Sequence, residues 1–239
     1  MPPSTKVAIA ERRITLSRYQ LSMFTECPRC FWLQLRHGVK PPKGLPFAIN
    51  NAIDRLLKAE FDVYRAAGTL HPLLAKHGIT AKLFGDTTKL EAWRNNFQGL
   101  RWTDPQTGHT LFGALDDLLE FPDGSVAVID YKASGSASAT VYPSYQLQMD
   151  VYTHLLQCLG YRTAPCAYLV FFMAVKDDGF NGRLPFRGEL LPVSAKPERV
   201  PALVSAAIGV AQSDQMPASG PACDVCRCAR ETAQVVGPG

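Results

Sequence analysis

Apolar residues recur along this chain with two periods, and the change from one to the other divides it. Over residues 17–37, SRYQLSMFTECPRCFWLQLRH, Leu21, Phe24, Phe31 and Leu35 fall on one side of a helix, with Ser17 as its cap and Gly38 as its stop. The segment KPPKGLP that follows reads as a turn or linker. Residues 47–66 carry a second helical pattern, in which Ile49, Ile53, Leu56, Leu57 and Phe61 recur at helical spacing. Residues 69–100 read as helix in pieces.

The period then shortens to that of strands. HTLFGALDDLLEF and SVAVIDYKA are predicted as two strands around the turn PDGS, a hairpin signal. After the polar loop SGSASAT, PSYQLQMDVYTHLLQCLG reads as a helix with Pro143 near its start and Gly160 at its end. CAYLVFFMAV is apolar throughout, as a central strand should be, and FRGELLPV is a further strand. PERVPALVSAAIGVAQS is a helix, and the tail GPACDVCRCARETAQVVGPG is irregular. Helices followed by β-β-α-β-β-α predict one α/β domain with helical additions at the front. The expected boundaries are a flexible arm over 1–15, a single domain over 16–230 and a tail over 231–239. That domain includes a helical insertion of unassigned role at 68–108 and a cysteine-rich staple at 221–230.

Composition adds little to this picture. The 239 residues are 46% hydrophobic and 19% charged, as in ordinary globular proteins. No apolar run reaches 18 residues, which predicts no membrane span, and no apolar segment follows the first charges, which predicts a cytoplasmic protein without a secretory leader. A formal charge of +4 permits a polyanionic partner without demanding one.

The chemistry lies where charges interrupt the strands. Asp130 and Lys132 are two apart, so their side chains leave one face of the strand. The run VAVI before them is buried on both sides, and lone buried charges are costly. Either Asp117 or, with a one-residue shift, Asp116 lies across from Asp130. Both registers bring two carboxylates close to a lysine. Facing carboxylates repel unless a cation separates them, and Mg²⁺ takes one or two carboxylates with water and phosphate oxygens. Such an ion activates water, and the lysine can orient that water or neutralise developing charge. Basic residues for phosphate contacts include Arg29, Arg36 and Lys40 around the first helix and linker, and Lys58 on the second helix.

GALD followed by VIDYK resembles motifs II and III of the PD-(D/E)XK nuclease superfamily in its RecB-like branch: Gly113 and Asp116, then Asp130 and Lys132. That branch also has Gln-x-x-x-Tyr on the next helix, matched by Gln148 and Tyr152, with Tyr145 and Gln146 as a competing register. The resemblance implies a restriction-endonuclease-like core with a central mixed β-sheet flanked by helices. It implies a Mg²⁺- or Mn²⁺-dependent deoxyribonuclease, exo- or endonucleolytic, acting on single strands or DNA ends, in a repair or defence complex with protein partners. Asp116, Asp130 and the Tyr131 carbonyl would hold the ion, Lys132 would position water, and Gln148 and Tyr152 would orient Lys132 or the substrate. The family's first motif, often His or Glu, has no histidine to match on the 47–66 helix. Asp54 is the candidate there, with Glu60 as fallback. The alternatives are a degenerate nuclease fold that binds nucleic acid without cutting it, and a zinc-stapled interaction module.

Seven cysteines include two C-x-x-C pairs, Cys27/Cys30 and Cys223/Cys226, near opposite ends of the chain. In a reducing compartment such pairs indicate a metal rather than disulfides. The nuclease resemblance extends to CRISPR-associated adaptation exonucleases and AddB-type nucleases, in which terminal cysteines hold a [4Fe–4S] cluster. ECPRCFWL is similar to their N-terminal segment, whereas the C-terminal spacing differs. The expected set is Cys27, Cys30, Cys223 and Cys226, with Cys228 able to replace Cys30, around a [4Fe–4S] cluster or a tetrahedral Zn²⁺.

Overall fold

The computed structural model describes residues 13–42, 48–177, 179 and 181–237. Two compact units emerge, each discontinuous in sequence: one holds the described residues of 1–45, 103–111 and 199–239, the other those of 46–102 and 112–198. The predicted arm lies outside the described residues up to position 12, and Thr15–Ser17 already forms a strand, β1.

The predicted 17–37 helix is two helices, α1 (Arg18–Glu26) and α2 (Pro28–His37). Ser17 caps α1 as expected, in a capping box with Gln20. The break falls at Cys27, extended at φ −154° and ψ 99°, because a residue before proline is crowded out of the helical region. Pro28 then starts α2, where its missing N–H is harmless, and Gly38 ends it in the left-handed conformation. In the same unit α7 (Val200–Gln212) packs against α2. Trp32 Nε1 and Arg36 donate to the carbonyls of Ser213 and Gln212 at the C-terminal end of α7. The tail expected to be irregular is the helix α8 (Asp224–Val236), largely exposed apart from Cys226.

The second unit carries the α/β core. Its helix α3 (Ala48–Ala66) covers most of the predicted 47–66 helix; Phe47 is outside the described residues. The 68–108 segment is not wholly helical. It holds α4 (Pro72–Lys76) and α5 (Thr87–Arg94), but also β2 (Lys82–Leu83) at the sheet edge and the strand β3 (Leu100–Thr103). These strands are too short for alternation to reveal. The predicted 109–121 strand is interrupted, giving β4 (Thr110–Gly113) and β5 (Asp117–Glu120), with Asp116 in the break.

Strands β6 (Val126–Ser134), β7 (Cys166–Ala174) and β8 (Phe186–Ser194) complete a mixed sheet of order β2-β5-β6-β7-β8. Only β6 and β7 pair in parallel, and the helix α6 (Pro143–Cys158) makes the crossover between them. This is the α/β, restriction-endonuclease-like arrangement expected from the sequence. Alternation on β6 assigns its two faces. Ala127, Ile129 and Tyr131 join Leu57 and Phe61 of α3 in one apolar cluster. Val128, Asp130 and Lys132 therefore face the other way, and Gln148 of α6 meets the last two.

Candidate active site and four-thiol centre

The ladder resolves which aspartate accompanies Asp130. Asp117 pairs with Ile129, so its side chain takes the face opposite that of Asp130. Extending this register by one residue sets Asp116 beside Asp130. Asp116 Oδ2 accepts a hydrogen bond from the Tyr131 N–H at 3.0 Å, which fixes the carboxylate against β6. Asp130 is 1% exposed and pairs with Lys132. Gln148 bridges them, its Nε2 donating to Asp130 Oδ1 at 2.7 Å while its Oε1 accepts from Lys132 Nζ at 3.1 Å. Tyr152 follows one turn later, 3.3 Å from Gln148 Nε2, and its hydroxyl donates to the Ala114 carbonyl. Of the two helix registers, Gln148/Tyr152 is thus the one that reaches Asp130. Tyr145 instead places its ring 4.8 Å from Lys132 Nζ, while Gln146 turns to Asp150 and the Ser194 carbonyl.

Lys58 is the residue whose place the sequence did not indicate. Its ammonium lies 2.9 Å from Asp54 and 2.8 Å from Asp116, bridging the first-motif candidate to the hairpin carboxylate. Glu60, the fallback, is turned away and pairs with His71. The i, i+4 spacing of Asp54 and Lys58 was visible in the sequence, but its link to Asp116 depends on how α3 packs. Burial opposes the charges of Lys58 and Lys132, but their carboxylate partners outweigh it and raise both pKa values. Both lysines are therefore cations at neutral pH.

On the opposite face of the sheet lies a second network that the sequence reading missed. Asp117, fully buried, accepts from Arg65 (2.5 Å), Arg94 (3.1 Å) and the Tyr131 hydroxyl (2.7 Å). Arg94 also donates through Nε to the Asp116 carbonyl at 2.6 Å. Burial, reinforced by Asp117, holds the Tyr131 pKa well above 10, so its hydroxyl remains a donor. The only available signal was the doubled Asp116-Asp117, because adjacent strand residues must serve opposite faces. Asp117→Ala leaves two buried guanidinium groups short of their partner. It is expected to lower stability by about 3–5 kcal/mol, read as a shift in the denaturant midpoint. A cavity of about 590 Å³ beside this network is lined by Arg65, Lys82, Glu91 and Arg94 and does not include Asp116, Asp130 or Lys132.

The predicted thiols converge in the other unit. Sγ atoms of Cys27, Cys30, Cys223 and Cys226 all lie within 4.8 Å of one another, the one group of three or more potential ligands so close among the described residues. Cys27 is 3.7 Å from Cys226, and Cys30 is 3.6 Å from both Cys223 and Cys226. Cys228 is exposed and points to Thr232, so it does not replace Cys30. Cys27 caps α2 and accepts from the N–H groups of Gly220 (3.2 Å) and Cys30 (3.5 Å). Burial works against its ionisation, but these backbone donors prevail and bring its pKa down to about 7. Burial pushes the Cys30 and Cys226 thiols up. Gly220 approaches so closely that a Cβ there would stand 1.9 Å from the Glu26 carbonyl oxygen. A cavity of about 460 Å³ bordered by Tyr19, Pro41 and three of the four cysteines offers an entry path. The group can hold a metal.

The candidate nucleic-acid contacts divide. Arg29 donates to the Pro217 carbonyl and Arg36 to Asp214, so both brace the segment that leads into the second thiol pair. Lys40 is exposed, and Lys58 stands among the carboxylates. No helix among the described residues is long and apolar enough to cross a membrane.

No family model matches the chain, and no curated protein matches it. Among solved structures it is similar to one described as the crystal structure of SSO0001, at 14% identity over 95% of this chain and 87% of that one, with a TM-score of 0.36. It is also similar to LHK-Exo in complex with dAMP, at 9% identity over 96% of this chain and 97% of that one, with a TM-score of 0.39.

Proposed function

We propose that the chain is a Mg²⁺- or Mn²⁺-dependent nuclease that hydrolyses DNA phosphodiester bonds, with single strands or DNA ends as substrate. The observation that carries this reading is the Asp130–Lys132–Gln148 bridge beside Asp116 on the central strand β6, just past the end of its pairing with β5. Two carboxylates converging there form a hard-oxygen donor set that suits Mg²⁺ or Mn²⁺. Asp116, Asp130 and the Tyr131 carbonyl would hold the ion, with Asp54 at the margin. A divalent ion there supplies an activated water and stabilisation of phosphate charge.

The protein's own groups do the rest. Lys132, held as a cation by Asp130, faces charge that builds on the phosphate oxygens. Gln148 fixes the lysine and the carboxylate relative to each other, and Tyr152 fixes Gln148 against the Ala114 carbonyl. Lys58 has a third N–H beyond the two it gives Asp54 and Asp116, and it offers this donor to a substrate phosphate. The test is incubation of purified protein with end-labelled single-stranded DNA and Mn²⁺. Cleavage that requires the ion is expected; DNA bound without cleavage would replace this reading with that of a nucleic-acid-binding protein.

Lys58 also competes with a divalent ion for Asp116. Lys58→Met is expected to tighten Mn²⁺ binding by about ten-fold, measured by the loss of the free-ion paramagnetic resonance signal. Unchanged affinity would remove Asp116 from the ligand set.

For the thiols, the reading is one structural Zn²⁺. A tetrahedral ion with Zn–S bonds of about 2.3 Å sets its sulfurs about 3.8 Å apart, close to the 3.6–3.7 Å of three of the six pairs, all six of which lie within 4.8 Å. In a four-iron cluster each thiolate binds a different iron, so the sulfurs stand farther apart.

A further inference from the structure

Helix α3 packs one side into the core through Leu57 and Phe61 and turns Asp54 and Lys58 toward the carboxylates. A third side has no such role. Ile49, Leu56 and Val63 are 66%, 68% and 67% exposed, an unusual outlay of large aliphatic surface on a single helix. They are spaced by seven residues, and Ala52, Ala59 and Ala66 fall three residues after each. The alternating three- and four-residue steps give a heptad seam along the full 19-residue helix, with bulky side chains at one seam position and alanine at the other. Ala59 and Ala66 are exposed and Ala52 is half-buried.

We propose that this seam is a dimer interface occupied by α3 of a second copy of the chain, running antiparallel about a two-fold axis. The seam is complementary to itself in that direction. Ile49 meets Ala66 of the second copy, Leu56 meets Ala59, and Val63 meets Ala52, so every large side chain faces a small one. The flanking charges are compatible: exposed Arg55 comes beside Asp62 of the second copy, whose half-exposed carboxylate also holds Arg65 and Arg94 of its own chain, and the axis repeats the contact. Such an isologous patch closes after two subunits. A parallel pairing would stack Leu56 on Leu56 and alanine on alanine, leaving gaps between the bulky layers, and would align the two helix dipoles unfavourably. Asp54 and Lys58 lie on another side of α3, so the seam can be covered without covering them.

The test uses the full chain in sedimentation equilibrium. A concentration-dependent dimer is expected, and Leu56→Glu should weaken it by about 30-fold or more in Kd. Far-UV dichroism and melting of dilute protein should stay unchanged, because Leu56 leaves the core untouched. Val63→Lys is the second variant and should act alike. Benzoylphenylalanine at position 49 should photocross-link to the peptide of the second copy that contains residue 66. A chain that is monomeric at its highest soluble concentration overturns the proposal, as does a dimer indifferent to both variants. A cross-link to residue 49 of the second copy, or to any other element, overturns the antiparallel seam.

Discussion

Lys132→Met is expected to lower the rate of the proposed Mn²⁺-dependent DNA cleavage by about 10²–10³-fold, the usual cost of deleting one charged group aimed at a transition state. Methionine keeps the length of the lysine stem, so its packing over the Tyr145 ring survives and only the charge is removed. Asp130 keeps the Gln148 hydrogen bond in this variant, and the melting temperature reports whether that suffices to hold the fold. Asp130→Asn is expected to give a loss at least as large, because it removes a proposed ion ligand and the counter-charge of Lys132 together. The two substitutions combined should cost little more than the worse one, since the groups act as a unit. Initial rates on labelled single strands decide the matter. Wild-type rates from Lys132→Met would end the catalytic reading, whereas loss of rate with loss of folded signal would count only against the fold.

The second large effect concerns the thiols. Purified protein should carry one Zn²⁺ per chain by elemental analysis and no visible absorption band near 400 nm. Cys226→Ser should lose that ion, and with it the closure between segments separated by nearly 200 residues. Structural zinc contributes on the order of 10 kcal/mol to small domains. Even about half of that, lost from a chain of this size, lowers the melting temperature by roughly 10–20 °C. Cys228→Ser, at an exposed position outside the group, should melt like wild type. Iron and acid-labile sulfide in anaerobically prepared protein would replace zinc with a cluster.

The two experiments are separable because the two centres lie in different units of the chain. A Cys226→Ser protein that still cleaved DNA at low temperature would assign the thiols a role in stability alone. One that bound zinc normally after Lys132→Met would show that the carboxylate site on β6 can be altered without disturbing the thiols.

Much of the local structure was legible in the sequence. Ser17, Gly38 and Pro143 stand at helix ends because capping chemistry depends on a few neighbouring backbone groups. That Asp130 and Lys132 share a face follows from the two-residue repeat of a strand, and that Gln148 and Tyr152 share one follows from the helical repeat. The pairing of C-x-x-C motifs from the two ends was likewise legible from thiol chemistry. Among the local signals read wrongly were Cys27-Pro28, where the apolar periodicity continues across a backbone break, and the tail expected to be irregular, which forms α8.

What depended on distant segments could not be read this way. Asp116 and Asp117 are both acidic and adjacent; only the pairing of Asp117 with Ile129 turns one toward Asp130 and buries the other against Arg65 and Arg94. Cys30 rather than Cys228 completes the thiol set because α8 continues through residue 236 and turns Cys228 away. Lys58 reaches Asp116 only because α3 lies across the sheet. Periodicity and capping are properties of a few consecutive residues and are fixed by the chain itself. Register, and the meeting of charges from separate elements, are chosen by the packing of the whole core.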